Sequence, residues 1–255
     1  MNNLIVANWK MNPGSQKEAE VILKEVSLLA KSSKNINIAV CVPFPFLSIA
    51  KSKIKAKNIF IGAQDVSSEI EGAHTGEVSI KMLKDFGVSY VVLGHSEKRA
   101  QGETNYIINK KVLTTLKAKI TPILCIGENV RDNNGEYLSF IKHQIQECLE
   151  GISKTQIKDI VIAYEPIWAI GENAIRVATP SEFLEMQIFI KKIISDLYSS
   201  TIAHNTLIIY GGSVHPENAK SFVADNLTKG SACGFLVGRD SLSPKKFGAI
   251  INSLK

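Results

Sequence analysis

The stretch Ile160-Val161-Ile162-Ala163-Tyr164-Glu165-Pro166-Ile167-Trp168-Ala169-Ile170-Gly171 decides the fold. Its first four residues form a short, apolar, β-branched run, the pattern of a strand buried on both faces of a parallel sheet. Such a strand carries a single carboxylate, Glu165, to its C-terminal end. Pro166 fixes φ and drives the residue before it towards an extended conformation. A long connection follows before the next helical pattern, and ordered loops of that length beside a strand often cover a site. Two readings fit these residues: a base with a cover hinged beside it, and a charged strand cap next to a packed Trp168.

Seven further runs of the same kind lie outward from this one. They are Leu4-Ile5-Val6-Ala7, Ile36-Asn37-Ile38-Ala39-Val40-Cys41-Val42, Ile59-Phe60-Ile61-Gly62-Ala63, Tyr90-Val91-Val92-Leu93, Pro122-Ile123-Leu124-Cys125-Ile126, Leu207-Ile208-Ile209-Tyr210 and Gly234-Phe235-Leu236-Val237. Between them, residues 17–30, 136–149 and 181–198 carry apolar side chains at helical spacing. In the last, Phe183, Met186, Gln187, Ile190, Ile193, Ile194 and Leu197 mark one face. Thr179-Pro180-Ser181-Glu182 supplies its hydroxyl cap, first-turn proline and early negative charge. Strict alternation of strand and helix calls for a parallel sheet. Eight units without a break in composition predict one closed (β/α)8 barrel, α/β in class, as a single domain over residues 1–255. A doubly wound open sheet is the competing architecture, but the first strand lacks the Gly-x-Gly-x-x-Gly turn.

Composition limits the partners. The 255 residues are 45% hydrophobic and 21% charged, with 8 prolines and 17 glycines, which is ordinary globular usage. The net charge of +6 suits an anionic ligand. Lys and Arg are scattered along helical patterns, however, and no stretch interleaves basic with aromatic residues, so no nucleic-acid partner is expected. A small phosphate ester is the better use of the excess. Cys41, Cys125, Cys148 and Cys233 form no CxxC pair and are expected buried and reduced, which predicts a cytoplasmic location. No basic leader precedes an apolar core, and no apolar run approaches the roughly 20 residues of a membrane span. Asn226-Leu227-Thr228 fits a glycosylation pattern and is read as chance.

In such a barrel the chemistry gathers at the C-terminal strand ends. The first strand ends in Asn8-Trp9-Lys10, and in an extended chain Asn8 and Lys10 point to one side; a surface lysine is the bland alternative. The fourth ends in Gly94-His95-Ser96-Glu97. His95 precedes a helical turn, and a helix N-terminus disfavours a charged imidazole; a lone histidine is also compatible with a structural role. The seventh ends in Tyr210-Gly211-Gly212-Ser213-Val214, where two glycines let backbone N–H groups face a ligand and Ser213 adds a hydroxyl; such pairs are equally common in plain turns. The eighth ends in Val237-Gly238-Arg239-Asp240-Ser241-Leu242. The loops after strands seven and eight are the usual barrel phosphate site. Neither a Walker motif nor His-Glu-x-x-His is present.

Together these residues resemble the triosephosphate isomerase family. Asn8-Trp9-Lys10-Met11-Asn12 is similar to its opening motif, Gly94-His95-Ser96-Glu97-Lys98-Arg99 to its histidine loop, and residues 164–171 to its base signature. Tyr210-Gly211-Gly212-Ser213 is similar to its phosphate loop, and Gly72-Ala73-His74-Thr75-Gly76-Glu77, preceded by Ala63-Gln64, to its dimer-forming third loop. The likeness runs from residue 4 to about residue 250. It implies interconversion of dihydroxyacetone phosphate and glyceraldehyde 3-phosphate through an enediolate, with Glu165 as base and a neutral His95 as electrophile. Lys10 and Asn8 then serve as electrostatic and hydrogen-bonding aids, and Glu97 as an ionic partner of Lys10 or a structural support. Backbone N–H groups of Gly171, Ser213, Gly238 and Arg239 hold the phosphate. The resemblance implies no metal and no cofactor, and a homodimer in which Thr75 of one subunit stands beside the other's site. A non-catalytic phosphate-ligand or interaction protein on the same barrel is the alternative.

Three places depart from the family pattern. Glu172-Asn173-Ala174-Ile175-Arg176-Val177-Ala178 makes the lid about two residues longer than is common. There Asn173 supplies one left-handed position and Arg176 is expected to offset Glu172. Such a lid is expected to close, with altered opening kinetics. Arg239-Asp240 stands where Gly-Ala is frequent, and His74 where an aromatic residue is usual.

Overall fold

The computed structural model describes residues 3–171, 174–228 and 233–255, with backbone alone at 225–228. Glu172 and Asn173 of the lid, and the side chains of Asn226, Leu227 and Thr228, lie outside the described residues. The strands are β1 (Asn3–Asn8), β2 (Ile36–Val42), β3 (Ile59–Ala63), β4 (Val88–Leu93), β5 (Thr121–Ile126), β6 (Val161–Tyr164), β7 (Ile208–Tyr210) and β8 (Gly234–Val237). Each pairs in parallel with the next, and β1 pairs with β8 from Leu4 opposite Gly234 to Ala7 opposite Val237, closing the barrel. The expected (β/α)8 architecture is therefore present.

Around the strands run α1 (Gln16–Lys31), α2 (Leu47–Lys53), α3 (Ile80–Asp85), α4 (Ser96–Ala100), α5 (Asn105–Lys117), α6 (Glu136–Cys148), α7 (Pro180–Leu197), α8 (Ser200–Asn205), α9 (Ala219–Thr228) and α10 (Pro244–Asn252). Alternation along each strand divides the core in two. Leu4 and Val6 of β1 turn into the barrel with Ala39, Cys41, Val92, Ile123, Cys125 and Leu236. Ile5 and Ala7 turn outward against the helices. All four cysteines are buried and free.

The capping of α7 is as expected. Thr179 Oγ1 accepts the Glu182 N–H at 3.3 Å and Glu182 Oε2 accepts the Thr179 N–H at 2.7 Å, a reciprocal capping box. Of the residues assigned to its inner face, Leu197 is the exception at 41% exposure. It is the last residue of the helix. Among the described residues no helix is long and apolar enough to cross a membrane.

Candidate active site

At the C-terminal ends of the strands lies a cavity of about 580 Å³. Asn8, Lys10, His95, Glu97, Glu165, Gly171, Ser213, Gly238 and Arg239 all line it, so the barrel brings together every predicted site residue except Thr75. Thr75 stands on an exposed loop, away from this cavity.

Glu165 follows the last residue of β6 and is 2% exposed. Its backbone is pinned: the Glu165 N–H donates to Ile126 O at 2.7 Å and the Gly211 N–H to Tyr164 O at 2.8 Å. A Cβ on Gly127 would lie 1.7 Å from Glu165 O, so only glycine admits β5 and β6 this close at their exits. The carboxylate then sits between an amide and a ring nitrogen. Oε2 accepts the Ser96 N–H at 3.0 Å, and Oε1 lies 3.2 Å from His95 Nε2.

His95 is the N-cap of α4, and its Nδ1 accepts the Glu97 N–H at 3.1 Å. An accepting Nδ1 carries no proton, so the ring's proton is on Nε2, facing Glu165. The ring is thereby set to donate from Nε2.

Lys10 departs from expectation. β1 stops at Asn8, and Lys10 has φ of 52°, a left-handed residue rather than a continuation of an extended chain. Asn8 and Lys10 still meet in the cavity because the turn brings them there: Asn8 Oδ1 accepts the Lys10 N–H at 3.1 Å. Gln64 secures the turn, its Nε2 donating to Lys10 O and to Cys41 O, each at 2.9 Å. Lys10 Nζ lies 2.7 Å from Glu97 Oε1, so Glu97 is the ionic partner of Lys10.

Behind the base sits a group that the sequence reading passed over. Glu128 is 1% exposed and Oε1 accepts from Tyr164 Oη and Trp168 Nε1, each at 2.8 Å, with Arg131 Nη1 at 3.5 Å. Burial, and then the Glu128 charge, push the Tyr164 phenol up, so it stays a donor. Glu128 thus fixes Trp168 at the start of the lid. At the far side of the lid, Arg176 stacks on Trp168 at 4.4 Å and pairs with Glu182 through Nη1 at 3.0 Å and Nη2 at 2.5 Å. Glu182 is the carboxylate paired with Arg176 among the described residues, and the expectation that Arg176 offsets Glu172 falls outside them.

At the other end of the cavity, Gly171 has φ of 77°, a left-handed turn that favours glycine. Ser213 Oγ donates to Ala169 O at 2.8 Å, which ties the β7 loop to the lid's root and leaves the backbone to serve a ligand. Gly238 precedes a short 3-10 helix, Arg239–Leu242. Cys125 lies beside the base, but burial, and next the Glu165 charge, push its thiol well up, so it is no nucleophile. Among the described residues no group of three or more His, Cys, Asp or Glu could hold a metal ion.

A buried carboxylate beside an imidazole Nε2, a nearby lysine and glycine-rich loops opposite is a site for moving a proton next to a polarised carbonyl. Comparison with known proteins agrees. The family model described as triosephosphate isomerase matches residues 3–254. The chain is 41% identical to the triosephosphate isomerase of Fusobacterium nucleatum, covering 99% of both chains. It is 40% identical to that of Dictyoglomus thermophilum over 98% of both, and 40% identical to that of Protochlamydia amoebophila over 98% of this chain and 92% of the relative. Fold, site and relatives converge, and the chain belongs to the triosephosphate isomerase family.

Proposed function

We propose that the site interconverts dihydroxyacetone phosphate and glyceraldehyde 3-phosphate, with Glu165 as base and neutral His95 as electrophile. The observation that carries this is the Glu165 Oε1 to His95 Nε2 distance of 3.2 Å, with His95 Nδ1 committed to the Glu97 amide. When a carbonyl oxygen takes the Nε2–H, the ring turns from Glu165 to the substrate and the carboxylate is free to approach the adjacent carbon. It removes a proton there and returns it to the neighbouring carbon. His95 stabilises the enediolate and moves protons between its two oxygens. Lys10 and the Asn8 side chain act as charge and hydrogen-bond partners already in place before substrate arrives. The backbone N–H groups of Gly171, Ser213, Gly238 and Arg239 take the phosphate. Lid closure excludes water, which strengthens these interactions and limits phosphate loss from the intermediate. The roles assigned use side chains and backbone alone, with no cofactor.

A protein that merely bound a phosphate ligand would have no use for a carboxylate buried at 2% exposure beside an imidazole. A coupled assay with glyceraldehyde 3-phosphate, comparing the intact protein with Glu165→Asp, tests the reading. Turnover by the intact protein that collapses in the variant supports it; absence of turnover refutes it.

The chain is read as one domain and as a homodimer in a cytoplasmic setting, for which four free, buried cysteines suit a reducing compartment. Met11 at 94%, Met82 at 54% and Ile70 at 46% exposure, with the exposed loop around His74 and Thr75, offer apolar surface for a second copy. Thr75→Arg should yield a monomer by analytical ultracentrifugation with most activity lost. A monomer that keeps full turnover refutes the requirement for a partner.

A further inference from the structure

One group in the cavity wall has no part in the scheme above. Asp240 lies at the phosphate end, is 6% exposed, and lines the cavity with His215 and Arg239. A bare carboxylate there would oppose the dianionic end of a triose phosphate at short range. It is not bare. Oδ2 lies 2.8 Å from His215 Nδ1 and Oδ1 accepts from Lys246 Nζ at 3.0 Å. Burial alone would raise this carboxyl, yet the two partners outweigh it and hold the group below the ordinary carboxylate value.

The histidine is as well placed as the carboxylate. His215 follows Ser213 by two residues, and Asn218 locks that turn, its Oδ1 accepting the His215 N–H at 2.8 Å and its Nδ2 donating to Ser213 O at 3.0 Å. With Nδ1 turned to Asp240, Nε2 is the nitrogen left to face a ligand. With Nδ1 donating to Asp240, donation from Nε2 requires the doubly protonated ring, and the trio of His215, Asp240 and Lys246 would then carry one net positive charge beside the phosphate. Arg239, Lys10, Glu97 and Glu165 are the other Lys, Arg, Asp and Glu side chains in the same wall.

We propose that His215 is a phosphate-binding residue of this chain, donating from Nε2 as an imidazolium, and that Asp240, held by Lys246, positions it. The acidic residue after Arg239 is thus matched by a cation on the facing loop. The inference rests on the phosphate cradle proposed above and adds a side-chain donor to it.

His215→Gln removes the charge and leaves Asp240 paired with Lys246 alone, so the cluster falls from one net positive charge to zero. The expected result is a rise of about tenfold in KM and in the inhibition constant of inorganic phosphate, with kcat within about twofold. Adding Asp240→Asn to that variant restores one net positive charge and should bring both constants back to within about threefold of the parent protein. A structural role predicts the opposite for the double variant, because two buried-network partners are then lost. Unchanged KM and phosphate inhibition in His215→Gln overturn the inference, as does a double variant no better than the single one. If inorganic phosphate fails to compete with substrate in the parent protein, the cradle itself is wrong and the inference falls with it. Melting curves of both variants confirm that the measured changes are those of folded protein.

Discussion

Shortening the base by one methylene isolates what the backbone does for catalysis. Glu165→Asp retracts the carboxylate by roughly 1.5 Å, one carbon–carbon bond. The main chain cannot follow to compensate. It is tied to Ile126 O at 2.7 Å, and Gly127 sits so close that a Cβ would fall 1.7 Å from Glu165 O. The aspartate therefore cannot keep both Ser96 N–H at 3.0 Å and His95 Nε2 at 3.2 Å, and its approach to a substrate carbon is equally short. A displacement of about 1 Å from the attack geometry costs on the order of 10²-fold, or about 2.7 kcal/mol of barrier. The deficit should lie in kcat, with KM within about threefold, since the phosphate contacts are untouched. Steady-state kinetics of the coupled reaction in both directions read it. A variant with kcat within about fivefold of the parent, or a loss confined to KM, would show that the backbone does not hold the base rigidly.

Two further tests address the supports. Gly127→Ala forces β5 and β6 apart at their exits and should cost about 2–3 kcal/mol in urea unfolding, with turnover falling alongside; an unchanged midpoint refutes the close-packing argument. For the lid's outer anchor, the Arg176 hydrogen bond outweighs burial and lowers the Glu182 carboxyl to about 2. A carboxyl depressed in the folded state stabilises above its ordinary value near 4.5 and loses that contribution as pH falls through the folded value. Arg176→Ala should therefore melt below the parent at pH 5, with the gap closing towards pH 2; a gap independent of pH refutes the assignment.

The eight strands were legible because each is a short apolar run with no competing helical period. The bounds moved by one or two residues where polar members such as Ser89 or Thr121 join the ladder. The strand-end residues were legible for a related reason: the barrel gathers whatever follows each strand, so His95 and Glu165 could be placed opposite each other without contacts. The conformation of Lys10 was not, because a left-handed φ at a non-glycine residue leaves no local mark. The side chain that holds its carbonyl, Gln64, is 54 residues away. Glu128 escaped for a different reason. The end of β5 reads Ile126-Gly127-Glu128, and its glutamate looks like any loop charge until Tyr164 and Trp168 are seen to donate to it. The signal was present in position, at the end of a strand like the others, but not in residue type. Glu182 lies six residues beyond Arg176, across a proline-led helix start, and Trp168 eight residues before it, so neither contact falls in a local pattern.

The two ends of the cavity obey different tolerances, and the departures in sequence follow them. The proton-transfer end depends on distance, where a tenth of a nanometre decides the rate, and there the chain uses close backbone contact and an amide-capped ring. The phosphate end depends on charge and on backbone N–H groups. A backbone donor survives any side chain, and charge falls off slowly with distance, so one arrangement of ions can replace another. Arg239 and Asp240 in place of smaller residues are admissible for that reason, provided the carboxylate is answered, as it is by His215 and Lys246. Substitution at Asp240 should accordingly be read through its partners rather than alone: the residue is harmless to phosphate binding only while both partners remain beside it.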